Sequence, residues 1–487
     1  MQKQSNIILN HGISKYFGVI FIYNLNNYLI FYINILLLEK HAHEKPTVTL
    51  GKSVIYQIYK TLDHYFGDVI IKLSDLPDPR KSKQYGIDEI AMSGISMFLF
   101  RQDSRNAFNN DRKEGLFTDN YRELFKMELA HMDTVKDVFC SLDCGSLENI
   151  KAEMVSKLIR KKVLEDYRYK GFYIVAVDGT GVVSFDHRHC DCCLKKTSKN
   201  GKETYFHNVL EAKLITSSGL SLSIASEWIN NEGKSEFEKQ DCERNAFIRL
   251  AQKIKKLYPR LPIIILADGL YPYQGFFEIC SQNQWKFIVT LQDKNLKTLQ
   301  EEIQWEKLIK PMQMSEIFRK ENNHRITLKY QWLSNLEYKG QSLNWVECNE
   351  KTVNTATEKQ TMQRFVHITN LEMDNKTCSQ ISHCGRLRQK IENEGFNAQK
   401  NLGYNLEHKF VRTCFNAMKN FYQCLQIAHI INQLVALSES VNSILKIDTK
   451  LTVKYLWKRF VSFFLEGALC QNELSDLVQK RFQIRLI

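Results

Sequence analysis

The chain has 487 residues, which is enough for two to four domains and a large hydrophobic core. Its composition, 44% hydrophobic and 25% charged with 7 prolines, excludes a small disulfide-held module and argues against long disordered linkers. The net charge of +13 favours a polyanionic partner, with nucleic acid first and an anionic membrane second.

The first predicted element is a hydrophobic segment, residues 16–38, within an N-terminal extension that covers residues 1–45. The segment is long enough to cross a bilayer, but four asparagines interrupt it and no small-residue cleavage site follows. We therefore expect neither a signal peptide nor a membrane anchor, and we interpret residues 1–45 as a dispensable extension. A membrane protein anchored by residues 16–38 is the alternative.

Helical periodicity dominates residues 46–170. The clearest helix is predicted to begin after Ser146 as its N-cap, with apolar residues at steps of three and four. It ends in a basic run, residues 160–162, which is either a solvated charged face or a set of phosphate contacts.

Residues 171–291 change to strands that alternate with helices, and two of these strands are followed directly by an aspartate. The pattern predicts an antiparallel hairpin and then a βαβ-type crossover, which places later strands parallel to the first. Asp178 and Asp268 then lie on neighbouring strands at the edge where α/β sheets hold their ligands. The predicted elements are strand Tyr173–Val177, strands His207–Ile215 and Leu220–Trp228, helix Asp241–Tyr258, strand Ile263–Leu266, helix Phe276–Cys280 and strand Lys286–Leu291.

Residues 292–380 are predicted to be a β-rich insertion, because their strand patterns follow one another without intervening helices. A helical pattern resumes over residues 385–410 and continues to the C-terminus. We assign residues 381–440 to the core and residues 441–487 to a helical C-terminal region. The predicted strands of the insertion are Arg325–Trp332, Leu343–Cys348 and Arg364–Asn370.

Two aspartates held close together repel each other unless a cation lies between them. Mg²⁺, with Mn²⁺ as its substitute, is the natural cation because it is hard and accepts carboxylate and phosphate oxygens. A third acid is expected from the helical segment, which offers Glu392 and Glu394. Both glutamates border the apolar stripe of a regular helix, so periodicity alone does not choose between them.

The order of strand–Asp-Gly-Thr, strand–Asp-Gly, β-rich insertion and the sequence RQKIENEGFN resembles the DDE transposases of bacterial insertion sequences. In one large group of them the last acid lies in a Tyr-x-x-Arg-x-x-x-Glu-x6-Lys signature. Arg388 takes the Arg place and Glu392 the Glu place, whereas Gly385 stands in the Tyr place and Gln399 in the Lys place. Lys400 follows one residue late.

The resemblance implies an α/β fold in which a ribonuclease-H-like mixed sheet is flanked by helices. It implies that Asp178, Asp268 and Glu392 are both the catalytic residues and the metal ligands, and that Arg388 and Lys400 bind DNA. For Arg388 the alternative is a surface ion pair with Glu392. For Lys400 it is a solvated helix lysine.

The implied activity is transposition by two-metal-ion phosphoryl transfer: phosphodiester bonds are cut at the ends of an insertion sequence, and the freed 3′-hydroxyl is joined to target DNA. The implied partners are double-stranded DNA with terminal inverted repeats, target DNA and a second copy in a synaptic homodimer. The region 46–170 would then bind DNA, and the protein would act in the bacterial cytoplasm at the nucleoid. The alternatives are a nuclease of the same fold without strand transfer and an inactive DNA-binding descendant.

Two further features carry weaker hypotheses. Tyr271 and Trp285 could stack on an unpaired base, but core packing is the better interpretation for both. Cys190 and Cys193 have the spacing of half a zinc motif, and reduced thiols are favoured over zinc because no second pair of ligands follows at standard spacing. The residues that could complete such a site are His187, His189, Cys192 and His207.

Overall fold

The computed structural model of the protein describes residues 46–233, 239–309, 311–447, 450–479 and 484–486. The hydrophobic segment 16–38 lies outside the described residues, so its predicted role stays a prediction. Among the helices that the structure describes, none has both the length and the apolar character needed to traverse a bilayer.

Within the described residues, ten strands form one open, mostly antiparallel sheet that helices flank. The strand order is β2-β3-β1-β5-β6-β10-β9-β8-β7, and β4 pairs with β3 beside β2. β5 runs parallel to both β1 and β6, whereas the other pairs are antiparallel. The strands are β1 Tyr173–Phe185, β2 Leu194–Thr197, β3 Glu203–Ile215, β4 Ser221–Ile229, β5 Ile263–Ala267, β6 Lys286–Thr290, β7 Gln313–Glu321, β8 His324–Tyr338, β9 Gln341–Asn354 and β10 Gln360–Thr369.

Helices precede, interrupt and follow the strands. The α-helices are α1 Pro46–Thr61, α2 Gly67–Ile71, α3 Ile87–Leu99, α4 Arg105–Asp111, α5 Gly115–Phe125, α6 Met132–Ser141, α7 Cys144–Arg160, α8 Glu243–Leu257, α9 Gln274–Gln282, α10 Lys297–Ile309, α11 Cys378–Arg386, α12 Ala398–Asn401, α13 Phe415–Ala436, α14 Glu439–Ile447, α15 Val453–Glu466 and α16 Gln471–Gln479. Two π-helical turns, Leu62–Phe66 and Ile391–Asn397, and two 3₁₀ turns, Lys72–Asp75 and Glu165–Tyr167, complete the set.

The central strands are covered on both faces, which explains why they are continuous apolar runs. Along β1, Val175 and Val177 enter the larger core, while Ile174 and Ala176 enter a second core on the opposite face. The N-terminal helices, α8, α13 and α15 contribute to the larger core. α11 and the π-helical turn that follows it contribute to the smaller one.

The two ends of the described chain pack together. α15 lies along α1, and α13 lies along α3. The Phe100 ring is 4.6 Å from that of Phe460 and 4.7 Å from that of Phe464. The helical regions 46–170 and 441–487 therefore share one core, although they are far apart in sequence.

The predicted N-cap of α7 is wrong by three positions. α7 begins at Cys144 after Asp143, and Ser146 lies inside its first turn. The Ser146 hydroxyl donates to Asp143 Oδ2 at 3.3 Å, so the serine contacts the capping residue instead of replacing it.

The prediction that the first strand ends at Val177, directly before Asp178, is also wrong. The parallel pairing of β1 with β5 ends at Ala176 and Leu266. The antiparallel pairing of β1 with β3 continues as far as Phe185. The predicted β-rich insertion contains one more strand than expected, β7, and the unpredicted helix α10 lies within it, before β7. β7 has no buried face, and Phe318 within it is 73% exposed, so its sequence lacks the alternation of a core strand.

The predicted continuous helix over residues 385–410 is wrong as well. α11 ends at Arg386, the chain turns, and the wider π-helical turn Ile391–Asn397 follows before the short α12. Gly395 in this turn packs so closely on the β3–β4 hairpin that a Cβ there would lie 3.0 Å from Ser221 Oγ. The glutamates are therefore not presented by a regular helix.

Candidate active site

The strand register brings the two predicted aspartates side by side. The last parallel pair of β1 and β5 is Ala176 with Leu266. Asp178 and Asp268 each lie two positions further along their strands, so both project from the carboxyl end of the parallel pair. The Asp268 carboxylate is oriented by the backbone, because its Oδ1 accepts a hydrogen bond from the Leu270 N–H at 2.9 Å.

Arg388 connects Asp178 to the glutamate segment. Its Nη1 donates to Asp178 Oδ2 at 3.0 Å and lies 3.8 Å from Glu392 Oε1. The Arg388 side chain is only 19% exposed, whereas that of Glu392 is 50% exposed. Arg388 is therefore more than a surface partner of Glu392, since its closer contact is with the buried aspartate.

Glu394 faces away from this cluster. Its Oε1 accepts a hydrogen bond from Lys390 Nζ at 2.9 Å, and its Cγ approaches the β3–β4 turn at Gly219. Within the described residues its Oε2 is buried without a hydrogen-bond partner. The irregular backbone thus separates the two glutamates, and it is Glu392 that borders Arg388 and Asp178.

Asp178 is held in an environment that opposes its ionisation. Burial and the neighbouring Glu392, Asp268 and Glu243 raise the pKa of its carboxyl, the Arg388 guanidinium lowers it, and the net result is a pKa of about 7. A single arginine therefore does not compensate the negative charge gathered at this point. A bound cation would do so.

Glu243 is a fourth acid that the sequence did not reveal. It is the first residue of α8, and a Cβ on Gly179 of β1 would lie 2.5 Å from its Oε1. Burial and the nearby Asp268 raise the pKa of its carboxyl. An acid in the first turn of a helix is ordinary, because it complements the helix dipole, so no sequence signal distinguishes this one.

The aspartates open into a groove of about 1060 Å³ whose walls are basic. Asp178, Asp268 and Glu243 lie within it, and Tyr338 and Lys339 reach it from the β8–β9 turn. Acids surrounded by cations match a ligand that carries phosphates and is held partly through a metal ion. The basic side chains that line the groove are Arg244, Lys294, Lys297 and Lys339.

The two aromatic candidates are core residues, as the better interpretation predicted. Tyr271 is fully buried, and its ring contacts Phe247 and Phe276 at 5.4 and 5.8 Å. Trp285 is 3% exposed. Burial raises the pKa of Tyr271 well above its ordinary value, and Glu243, Asp268 and Asp178 add to the effect. Its hydroxyl is buried beside these acids and has no hydrogen-bond partner among the described residues.

The remaining signature positions have structural explanations. A Cβ at Gly385 would lie 2.7 Å from the His367 ring, so there is no room for the tyrosine of the signature. Gln399 is fully buried and donates to Gln426 Oε1 at 2.9 Å. Lys400 forms an ion pair with Glu407 at 2.8 Å and does not line the groove.

The donor set fits a hard divalent cation. Asp178, Asp268, Glu392 and Glu243 supply only oxygen, which suits Mg²⁺ or Mn²⁺. In the part of the chain that the structure describes, the three predicted ligands do not all lie within 4.8 Å of one another. The excess negative charge at Asp178 and the unpartnered Tyr271 hydroxyl are the two observations that favour a cation with its bound water here.

Two comparisons with known proteins found no match for the chain. No protein family matches it, and no curated protein matches it. What the protein does is therefore inferred from the fold and from this groove.

Proposed function

We propose that the protein is a DDE-type transposase with a ribonuclease-H-like catalytic core. The observation that carries the proposal is the pair Asp178 and Asp268, which line one groove with basic side chains at the carboxyl end of the parallel strands, with Arg388 linking Asp178 to Glu392 beside it. The protein would act in the bacterial cytoplasm, at the nucleoid.

The topology supports this fold. Along the sheet, β4, β3, β1, β5 and β6 follow one another, with an antiparallel β1–β3–β4 unit and with β5 and β6 parallel to β1. This order supports the ribonuclease-H-like sheet that the resemblance implies. β10, β9, β8 and β7 extend the sheet beyond β6, and the glutamate segment follows them in the chain, as the resemblance requires of an insertion before the last acid.

Each acid then has a role that its surroundings support. Asp178 and Asp268 would hold the cation, and the half-exposed Glu392 would complete the site from the facing segment. Mg²⁺, or Mn²⁺ in its place, would supply charge neutralisation and activation of the attacking oxygen in phosphoryl transfer. Arg388 would hold the Asp178 carboxylate in place or grip a phosphate.

The basic side chains of the groove would position DNA. Lys294, Lys297 and Lys339 line it on the side of the insertion, and Arg244 lines it beside Glu243. Contacts to phosphates fix the position and orientation of DNA without specifying its sequence. The bond to be cut would thereby be held over the acids.

The test is Mg²⁺-dependent cleavage of DNA that carries the inverted repeats flanking the gene. Asp178→Ala, Asp268→Ala and Glu392→Ala should each abolish nicking at the repeat ends, whereas the matched control Glu394→Ala should retain it. Cleavage that survives Glu392→Ala, or that is lost only in Glu394→Ala, would overturn the assignment of the third acid.

The same reaction separates the alternatives. Joining of the freed 3′-hydroxyl to a second DNA identifies a transposase, whereas cleavage without joining identifies a nuclease of the same fold. Binding without cleavage identifies an inactive descendant, an alternative that rests on the two departures from the signature, Gly385 and Gln399. A synaptic homodimer should appear as a complex of two chains with two repeat ends.

A further inference from the structure

A second cluster of metal-ligating side chains lies outside the groove. Cys190 Sγ and Cys193 Sγ are 3.6 Å apart, and His207 Nε2 lies 3.4 Å from each of them. Among the described residues, this is the group of three that brings its ligand atoms within 4.8 Å of one another. The sequence favoured reduced thiols here because no second pair of ligands follows at standard spacing.

These distances are those of the edges of a zinc tetrahedron. With Zn–S bonds of about 2.3 Å and Zn–N bonds of about 2.0 Å, tetrahedral angles place two sulfurs about 3.8 Å apart and a sulfur and a nitrogen about 3.5 Å apart. A disulfide would instead bring the sulfurs to about 2.05 Å. We propose that Cys190, Cys193 and His207 bind a structural zinc ion.

Hydrogen bonds and packing hold the ligands in this arrangement. The Cys193 N–H donates to the Cys190 carbonyl at 3.3 Å, which closes the turn that carries both thiols. Asn231 clamps the same turn from outside, since its backbone N–H donates to the Cys192 carbonyl and its Nδ2 to the Cys193 carbonyl, both at 3.2 Å. These hydrogen bonds therefore fix the backbone positions from which the two thiols project.

The histidine is fixed equally well. His207 lies on β3 opposite Val183 of β1 and is 1% exposed. Its ring stacks on Phe415 with centroids 4.4 Å apart, at the start of α13. The ring orientation that aims Nε2 at the two sulfurs is thus determined by packing.

The fourth ligand of the zinc ion would be either water or the thiol of the half-buried Cys192, which lies beside Cys190. The ion would connect the segment between β1 and β2 to β3, beyond the stretch of β1 that carries Asp178. Its role would be to stabilise this edge of the sheet, because its ligands do not line the groove of the acids.

The test is the zinc content of the purified full chain, measured by plasma mass spectrometry after growth with zinc. We expect about one zinc per chain, lost in Cys190→Ser, Cys193→Ser and His207→Asn. The matched control is Cys140→Ser, because Cys140 also lies beside another thiol, that of Cys414, but outside this cluster. This control should retain the metal.

Cobalt replacement keeps the proposal testable where a ligand variant fails to fold. The intact chain with Co²⁺ in place of zinc should show the intense d–d bands of a tetrahedral site and a thiolate-to-cobalt charge-transfer band. A well-folded intact chain that contains no zinc and gives only the weak spectrum of octahedral Co²⁺ would overturn the proposal. Neither measurement uses DNA, so the result is independent of the transposase activity.

Discussion

Replacing Asp178 with asparagine should stabilise the metal-free protein at pH 8 while removing its response to Mg²⁺. The carboxyl is 16% exposed, and its pKa is raised from 3.8 to about 7. A pKa raised this far corresponds to about 4 kcal/mol of preference for the protonated form. Because the Asp178→Asn variant would lose the hydrogen-bonded ion pair with Arg388, we expect a net gain of about 1–2 kcal/mol, or a few degrees in the thermal midpoint.

The sign follows from proton binding. Between pH 4 and pH 7 the folded state retains a proton on Asp178 that the unfolded state has lost, so the stability of the unaltered protein falls as pH rises through this window. Asparagine cannot ionise and removes this part of the pH dependence. The advantage of the variant should therefore be small at pH 5 and full at pH 8.

The assay is thermal unfolding at pH 5 and pH 8, first in EDTA and then with Mg²⁺. Mg²⁺ should raise the midpoint of the unaltered protein and of Glu394→Gln, but not that of Asp178→Asn. A variant that is destabilised equally at both pH values in EDTA would refute the reasoning. It would show that the pair with Arg388 outweighs the cost of burying the charge.

Three further variants test other parts of the site. Glu243→Gln should raise the Mg²⁺ concentration that gives half-maximal stabilisation roughly fivefold, because it removes about 1 kcal/mol of attraction from one nearby charge. If that Mg²⁺ concentration is unchanged, the Glu243 carboxylate does not act on the cation. Gly385→Ala should lower the free energy of unfolding by about 1–3 kcal/mol because its Cβ would clash with His367. The control Gly115→Ala should not lower it, because there is open space around Gly115. Equal effects of the two substitutions in thermal unfolding would contradict the crowding at Gly385. Lys339→Ala should reduce the slope of log affinity for DNA against log salt by about one, unlike Lys359→Ala in the turn between β9 and β10. Equal slopes would exclude Lys339 from the phosphate contacts.

The sequence predicts the centre of the fold better than its margins. β1 and β5 are recognisable because burial on both faces leaves apolar runs, and an aspartate directly after such a run stands out. β7 is not recognisable, because its side chains are exposed and its pairing with β8 is made through the backbone. A strand at the edge of a sheet needs no apolar alternation of its own.

Residues that meet only through tertiary packing are the ones that sequence reasoning missed. Glu243 reaches the acids because α8 begins against Gly179, a contact that no spacing in the chain encodes. The sequence named His207 only as one of four possible further ligands of the cysteine pair, and it is the pairing of β3 with the end of β1 that brings this histidine to the thiols. Glu392 and Glu394 could not be separated by periodicity, since the π-helical turn departs from a regular helix.

The departures from the transposase signature have a common cause in the core. Gly385 is required by the close approach of α11 to His367 on β10, and Gln399 bonds with Gln426 and His429 inside the protein. Packing in the core therefore explains the residue type at both positions, and neither residue contacts the acids. Arg388 and Glu392, the two signature positions that are kept, are those that border Asp178. Because both departures lie away from Asp178, Asp268 and Glu392, we expect the proposed cleavage chemistry to be retained without the two missing signature residues.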